Sequence, residues 1–521
     1  MTVKNKIRKN SYHDSAALML ITNRMGEQLG TKNLAVMMGT DTNKDIMRES
    51  DLLTRDGEGV GANDLIIAAR GENDSEVDAA IARAEEAIDT RASQKVSSDL
   101  PSFRTVHGAL RETPDANIAV FSIPGEYARG EVMKALEQGL HVLLFSDNVS
   151  VEDEVALKDY ALERELLMMG PDCGTAIING TPLAFANAVD RGDIGIVAAA
   201  GTGLQETSVL ISRNGAGISQ GIGIGGRDVK EAVGGRMMMA SLEALDSDPN
   251  TKVIVLVAKP PASSVVNLLS ERMKDISKPV VTCFLGDREA VPAVQGAVAT
   301  YTLEAAAFEA IRLSDGRSVS TGLFSATEAE INELVTAETE KLHGYQKYIR
   351  GLYGGGTLCY EAILIARNSL NEIYSNTPVS DDEALEDGNP KGNTFLDLGE
   401  DEFTRGRPHP MIEPSLRNQW IIDQAEDESV AVVVIDLVIG FSAHDDPAGV
   451  AVDAILEAKK VAREHGRYLS VVASVCGTEG DYQGFEKQKR VLQDAGVIVM
   501  PSNAQAVRFA VLVAGGKLDR A

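Results

Sequence analysis

The rhythm of apolar positions changes along the chain. From residue 118 onward, short unbroken apolar runs alternate with stretches of helical spacing such as 129–138. The runs fall at 118–122, 141–145, 194–200, 253–258, 280–285, 431–437, 469–475 and 497–500. Continuous rather than alternating apolarity is the pattern of a strand covered on both faces, so this part predicts parallel α/β units. The first 95 residues or so read differently. A strand is expected over 5–11, a helix over 15–29 with Asp14 placed to cap it, strands over 33–39 and 64–70, and a helix over 75–88. That order predicts a ferredoxin-like split βαβ module. The polar stretch 91–102 reads as a linker, 320–341 as a connecting helix, and the acidic stretch 375–391 as an exposed loop.

Within the α/β part the pattern repeats. One half runs strand 194–200, Gly201-Thr202-Gly203, then a helix beginning near Gln205. The other runs strand 348–352, Gly354-Gly355-Gly356-Thr357, then a helix over 361–367. Two apolar strands ending in polar loops follow in each. The loops are Lys259-Pro260-Pro261 and Gly286-Asp287 in the first half, Ser442-Ala443-His444-Asp445 and Gly477-Thr478-Glu479 in the second. A short strand and an Ala-rich helix close each half. Two doubly wound sheets of one design, fused in one chain, account for the repeat.

A glycine turn that runs from a strand into a helix points unpaired N–H groups at whatever lies beyond it. The helix dipole adds positive charge there, so a small anion is favoured. One such turn is equally a plain tight turn that caps its helix. Two in related halves point to a shared anion pocket. The glycine-dense run Gly221-Ile222-Gly223-Ile224-Gly225-Gly226-Arg227-Asp228 contains no GxxxxGK[ST] and is not a P-loop. It reads as a flexible loop carrying Arg227 beside the pocket, or as a solvated loop.

Composition narrows the classes. The chain has 521 residues, room for three or four domains at ~150 residues each. The net charge of −27 disfavours a phosphate-backbone binder or a protein held on an anionic membrane. Cys173, Cys283, Cys359 and Cys476 stand far apart with no CxxC, which suits a reducing cytoplasm. The basic start MTVKNKIRKN has no apolar stretch after it, so no signal peptide is expected, and no run is long enough for a membrane span. The histidines have no metal-ligand spacing.

These motifs resemble a known family. Gly170-Pro171-Asp172-Cys173-Gly174, Ile194-Gly195-Ile196-Val197, Gly201-Thr202 and Gly223-Ile224-Gly225-Gly226 resemble the α subunit of succinyl-CoA synthetase. Leu352-Tyr353-Gly354-Gly355-Gly356-Thr357-Leu358-Cys359 is similar to the carboxy-terminal domain of its β subunit. With residues 145–154 and 406–412, the chain as a whole is identified as a member of the FdrA family. The resemblance implies an α/β, multi-domain protein: an N-terminal ferredoxin-like βαββαβ module (1–100), a truncated Rossmann-like CoA-binding domain (101–188), and two flavodoxin-like succinyl-CoA-synthetase-type ligase domains (189–315 and 345–521).

The departures from the synthetase shape the expected chemistry. The resemblance implies a phosphohistidine in a Gly-His-Ala-Gly setting, but residues 290–299 hold no histidine. Lys259 stands where the synthetase has a supporting glutamate. No ATP-grasp segment is present. A cycle without the shuttling histidine stops at the acyl phosphate, so the expected reaction is phosphorolysis of an activated acyl or carbamoyl donor. Some FdrA-like proteins are linked to oxamate carbamoyltransferase activity of this kind. Gly201, Thr202, Gly203, Gly354, Gly355, Gly356 and Thr357 would hold phosphate, and Lys259, Arg227 and Arg407 would supply charge. His409 is a candidate for proton transfer or orientation, or an ordinary residue in a Pro-fixed turn. His444 lies at an expected strand end, where a helix-capping loop explains it equally well. Cys173 and Cys359 read as small buried residues.

The expected ligands are phosphate as a substrate, an acyl or carbamoyl donor, and CoA as a candidate, with no metal. A separate YlbE-like partner subunit in an oligomer is expected, and no nucleic acid. Two alternatives remain open: an ADP-forming acyl-CoA synthetase, and a non-catalytic scaffold that binds an anion or acyl-CoA.

Overall fold

The computed structural model describes residues 2–11, 13, 18, 21–22, 25, 33–95, 103–286, 293–319, 322–385, 388–404 and 408–518. They form two compact units, Met1–Phe103 with Glu400–His409, and Arg104–Gly399 with Pro410–Ala521.

The first unit is a ferredoxin-like module. Its described strands Thr2–Arg8, Leu34–Met38 and Leu65–Gly71 form an antiparallel sheet with Leu65–Gly71 in the centre. Side chains of the central strand alternate between two cores. Leu65, Ile67 and Ala69 pack with Val77, Ile81, Ala84 and Ile88 of helix Asp74–Lys95. Ile66 and Ala68 face Met47, Leu52 and Val60. Most of the helix expected over 15–29 lies outside the described residues, but Leu18, Ile21 and Met25 are buried in the first of these cores. Helices Asp41–Glu49 and Arg55–Glu58 were not anticipated. Helix Asp74–Lys95 also runs past its expected end into the stretch read as a linker.

The second unit contains three sheets. Ile118–Phe121, His141–Leu144 and Met168–Met169 make a small parallel sheet, the truncated Rossmann-like part. A seven-stranded sheet runs Val298–Thr300, Val280–Phe284, Val253–Ala258, Arg191–Ala198, Ile218–Gly223, Thr175–Ile178, Thr181–Ala184. A six-stranded, all-parallel sheet runs Ile373–Ser375, Asn393–Asp397, Tyr348–Tyr353, Val430–Val438, Ser470–Cys476, Ile498–Met500. Counted from Arg191–Ala198, five strands of the first sheet follow the order 2-1-3-4-5, and the second sheet, counted from Tyr348–Tyr353, follows the same order once its edge strand Ile373–Ser375 is set aside. That is the flavodoxin-like order, and the repeat is therefore topological. One hydrophobic core joins the two halves, from Ile196 and Val255 to Val434 and Phe509.

Three differences from the sequence reading matter for the site. The hairpin Thr175–Ile178/Thr181–Ala184 extends the seven-stranded sheet, so the boundary expected at 188/189 falls after two of that sheet's strands. Gly221-Ile222-Gly223 belongs to strand Ile218–Gly223 and is not a loop. A Cβ at Gly223 would strike the Thr175 carbonyl oxygen, so glycine is there for close approach. The stretch 375–391 contains a short 3-10 turn, Asp381–Glu383, with Glu383 buried. Among the described residues no helix is long and apolar enough to cross a membrane.

Candidate functional site

In a sheet of this order the first and third strands diverge into helices on opposite faces, leaving a crevice at their carboxyl ends. In the first half those strands are Arg191–Ala198 and Val253–Ala258, and they deliver the turn at Gly201 and the side chain of Lys259. In the second half they are Tyr348–Tyr353 and Val430–Val438. Helix Gly201–Arg213 starts after Ala200 and helix Gly356–Arg367 after Gly355, and neither N-cap contributes a side-chain hydrogen bond. The first N–H groups of both helices therefore need acceptors from elsewhere.

The fold brings the two helix starts together. Thr357 donates its N–H to Thr202 Oγ1 at 3.2 Å. A Cβ at Gly203 would lie 3.1 Å from Thr357 Cγ2, and one at Gly355 would lie 2.9 Å from Thr202 Cγ2. Gly203 and Gly355 are what allow this approach.

The two turns are not equivalent. Gly354 and Gly355 donate their N–H groups to Asp436 Oδ1 and Oδ2, each at 2.7 Å. Asp436 is buried in strand Val430–Val438, and Arg417 donates Nη1 to its carbonyl oxygen at 2.6 Å and lies 3.4 Å from its carboxylate. A Cβ at Gly356 would strike Asp397 Oδ2. The expectation that Gly354 and Gly355 turn their donors to an external anion is thus corrected, because an internal carboxylate already holds them. In the first turn, Leu204 donates to the Ala200 carbonyl, but the N–H groups of Gly201, Thr202 and Gly203 find no acceptor among the described residues.

Lys259 reaches across to the second half, its Nζ 5.3 Å from the centre of the Tyr360 ring. Beside it stands Lys230, which donates Nζ to the Pro260 carbonyl at 3.0 Å. Burial, and then the charge of Lys259, push the Lys230 ammonium below the usual lysine range. Arg227 does not supply charge to the turn as expected. It donates Nη2 to the Val149 carbonyl at 2.8 Å and its Nε lies 2.9 Å from Glu154 Oε2. Glu154 belongs to a fully buried set with Lys158 and Asp228, and Asp228 also accepts the N–H groups of Met237 and Met238. Arg227 therefore ties residues 149–158 to the loop after strand Ile218–Gly223.

Arg407 lies outside the described residues. His409 falls in the segment Glu400–His409 of the first unit. His444 accepts the Asp446 N–H on Nδ1 at 3.0 Å and shapes its own loop. Cys173 and Cys359 are buried, and burial pushes the Cys173 thiol up to about 12 and Cys359 well above its ordinary range. Burial disfavours the thiolate form of both.

Two pairs of residues escaped the sequence reading. Glu206 and Glu361 each stand five positions after the glycine that opens a helix, in Gly201-Thr202 and Gly356-Thr357 settings. Glu206 accepts the N–H of Asn503, the first residue of the last helix of the second half, at 3.0 Å. Glu361 accepts the N–H of Leu303, which opens the last helix of the first half, at 2.8 Å, and Asn503 Nδ2 at 2.7 Å. The repeated Gly-Thr-x-x-x-Glu was the available signal. For Asp436 and Arg417 the signal was a lone carboxylate inside the run Val433-Val434-Ile435-Asp436-Leu437.

Comparison with known proteins places this geometry in context. Residues 352–513 match the CoA-ligase family model, and residues 1–101 match the model for the AllF heavy metal-associated domain. The protein YahF of Escherichia coli (strain K12) is 42% identical over 504 residues, covering 96% of this chain and 97% of YahF. The alpha subunit of the ADP-forming succinate–CoA ligase of Aquifex aeolicus is 28% identical over 193 residues, covering 36% of this chain and 62% of that subunit. A solved structure of the dinucleotide-forming acetyl-coenzyme A synthetase 1 of Ca. Korarchaeum cryptofilum, in complex with phosphate and ADP, aligns with a TM-score of 0.34 at 15% identity, over 80% of this chain and 86% of that one.

Proposed function

The chain belongs to the succinyl-CoA-synthetase-like family of YahF, and from that premise we propose that it is the phosphate-holding subunit of a phosphate-dependent acyl or carbamoyl transferase. The observation that carries this reading is the first glycine turn. Three N–H groups, on Gly201, Thr202 and Gly203, find no acceptor among the described residues at the start of a 13-residue helix, at the crevice where Lys259 follows the end of the neighbouring strand. Such donors favour a small anion, and Lys259 adds a full positive charge on the same side.

Held there, a phosphate oxygen attacks the carbonyl carbon of the donor. The new C–O bond gives an acyl or carbamoyl phosphate, and the bond to the leaving amide nitrogen or thiolate sulfur breaks. An amide leaving group takes up a proton. Residues 290–299 offer no histidine to accept the phosphoryl group, so the product is released at the acyl phosphate stage. Oxamate and carbamoyl phosphate are one such product pair. The donor and a YlbE-like partner subunit complete the proposed assembly.

Calorimetric titration with inorganic phosphate, CoA and carbamoyl phosphate tests the reading. Gly201 has room for a side chain, since a Cβ there meets only Thr175 Oγ1 at 3.4 Å. Gly201→Asp puts a carboxylate in the anion seat and should weaken phosphate binding by about tenfold or more, about 1.4 kcal/mol. Lys259→Ala should weaken it in the same direction. CoA binding without phosphate binding favours the second reading, an ADP-forming acyl-CoA synthetase, which the CoA-ligase match supports.

A further inference from the structure

The module at residues 1–101 matches a heavy metal-associated domain, and that match implies a bound metal. Ions of the copper(I) and zinc class are held by thiolate, imidazole or converging thioether groups. Residues 1–101 contain no cysteine and a single histidine, His13. His13 Nε2 lies 3.0 Å from Ser11 Oγ. The described methionines fill the cores: Met25 and Met38 pack on one face of the sheet, Met37 and Met47 on the other. Placed on opposite faces, the two pairs cannot converge on one ion.

Five of the carboxylates are engaged as well. Lys4 pairs with Asp74 and Asp78, Lys6 with Glu85, and Arg8 with Glu85 and Asp89, so the acidic face of helix Asp74–Lys95 is matched along the first strand. Asp64 accepts the Asn10 N–H on Oδ1 at 2.8 Å. On Oδ2 it accepts the Gly61 N–H and Lys9 Nζ, each at 3.0 Å. These donors hold its carboxyl down at about 2. Among the described residues no group of three or more histidine, cysteine, aspartate or glutamate side chains is arranged to hold a metal. The residues do not fit the ion that the match implies.

We propose that this module is a metal-independent form of the heavy-metal-associated fold, in which the Asp64 carboxylate ties the end of strand Thr2–Arg8 to the start of strand Leu65–Gly71. Donors from two separate loops converge on the carboxylate of one residue that is 6% exposed, which is a structural tie formed without an ion. Residues 1–101 hold no cysteine, and their described thioethers lie in the cores.

The test uses the full chain, purified without added metal, and its His13→Ala variant. Each is titrated with zinc(II) and with copper(I) in competition with a chromogenic chelator, and the quantity read is the difference between them in metal captured. No difference is expected for either ion. One equivalent captured by the chain and lost in His13→Ala would overturn the proposal. In a second measurement, Asp64→Asn should lower the melting temperature of the module by the same amount in EDTA and in zinc. Recovery of that loss on adding zinc overturns the proposal independently of His13.

Discussion

Asp436 stands in strand Val430–Val438, where every position is buried and its eight companions are apolar. Burial pushes its carboxyl up, while Arg417 and the N–H groups of Gly354 and Gly355 oppose that shift. Asp436→Ala leaves two N–H groups without their acceptor and the buried Arg417 guanidinium without its counter-charge, and should cost about 3–5 kcal/mol in urea unfolding. Asp436→Asn keeps one accepting oxygen and should cost less. Glu361 makes a different prediction. Burial pushes its carboxyl from 4.5 up to about 7, against hydrogen bonds from Asn503 and the Leu303 N–H. Between those two values the folded chain keeps a proton that the unfolded chain has released. Stability from this group is therefore full at low pH and declines as pH rises through the window, by roughly 3 kcal/mol. Glu361→Gln should remove that slope when unfolding is compared at about pH 5 and about pH 8.

At the scale of elements, Gly223 and Gly226 separate two roles that look alike in a glycine-rich run. Gly223→Ala drives a Cβ into the Thr175 carbonyl, which is backbone and cannot step aside, whereas a Cβ at Gly226 meets only the Ala199 carbonyl at 3.7 Å. The first substitution should lower the melting temperature by several degrees and the second should leave it within about one, since surface changes typically stay within about 0.5 kcal/mol. This contrast explains what was legible. Runs such as Val253–Ala258 announce a strand because both faces are covered, and their ends fall where the apolar run stops. Strand Ile218–Gly223 was hidden because its glycines answer to a neighbour, not to strand propensity. Strand Asn393–Asp397 was hidden because Asn393, Thr394 and Asp397 are polar residues that the fold nevertheless buries. The two glycine turns could be read as a pair, but their inequality could not. It depends on Asp436, 82 residues from Gly354 in the chain.

Within the second unit, the two halves share one core and cap each other's last helices through Glu206 and Glu361. A fragment of residues 345–521 alone would expose that core and leave the Asn503 N–H without its carboxylate. It should bind a hydrophobic dye and lack a cooperative melting transition, while the full chain has one for this unit. The hydrogen bond from Thr357 to Thr202 carries the last consequence. It clamps two helix starts side by side, each with about half a positive charge, as if like poles of two bar magnets were glued together. Asp436 and Asp397 answer the field of one pole. The other finds no acceptor among the described residues, so on the proposed reading an arriving anion would act as a keystone for the whole arch. The melting temperature of the chain should climb with inorganic phosphate beyond its value in chloride of equal ionic strength, following the mass-action law for a ligand of the folded state. In Gly201→Asp, where the chain brings its own charge to that pole, the climb should vanish.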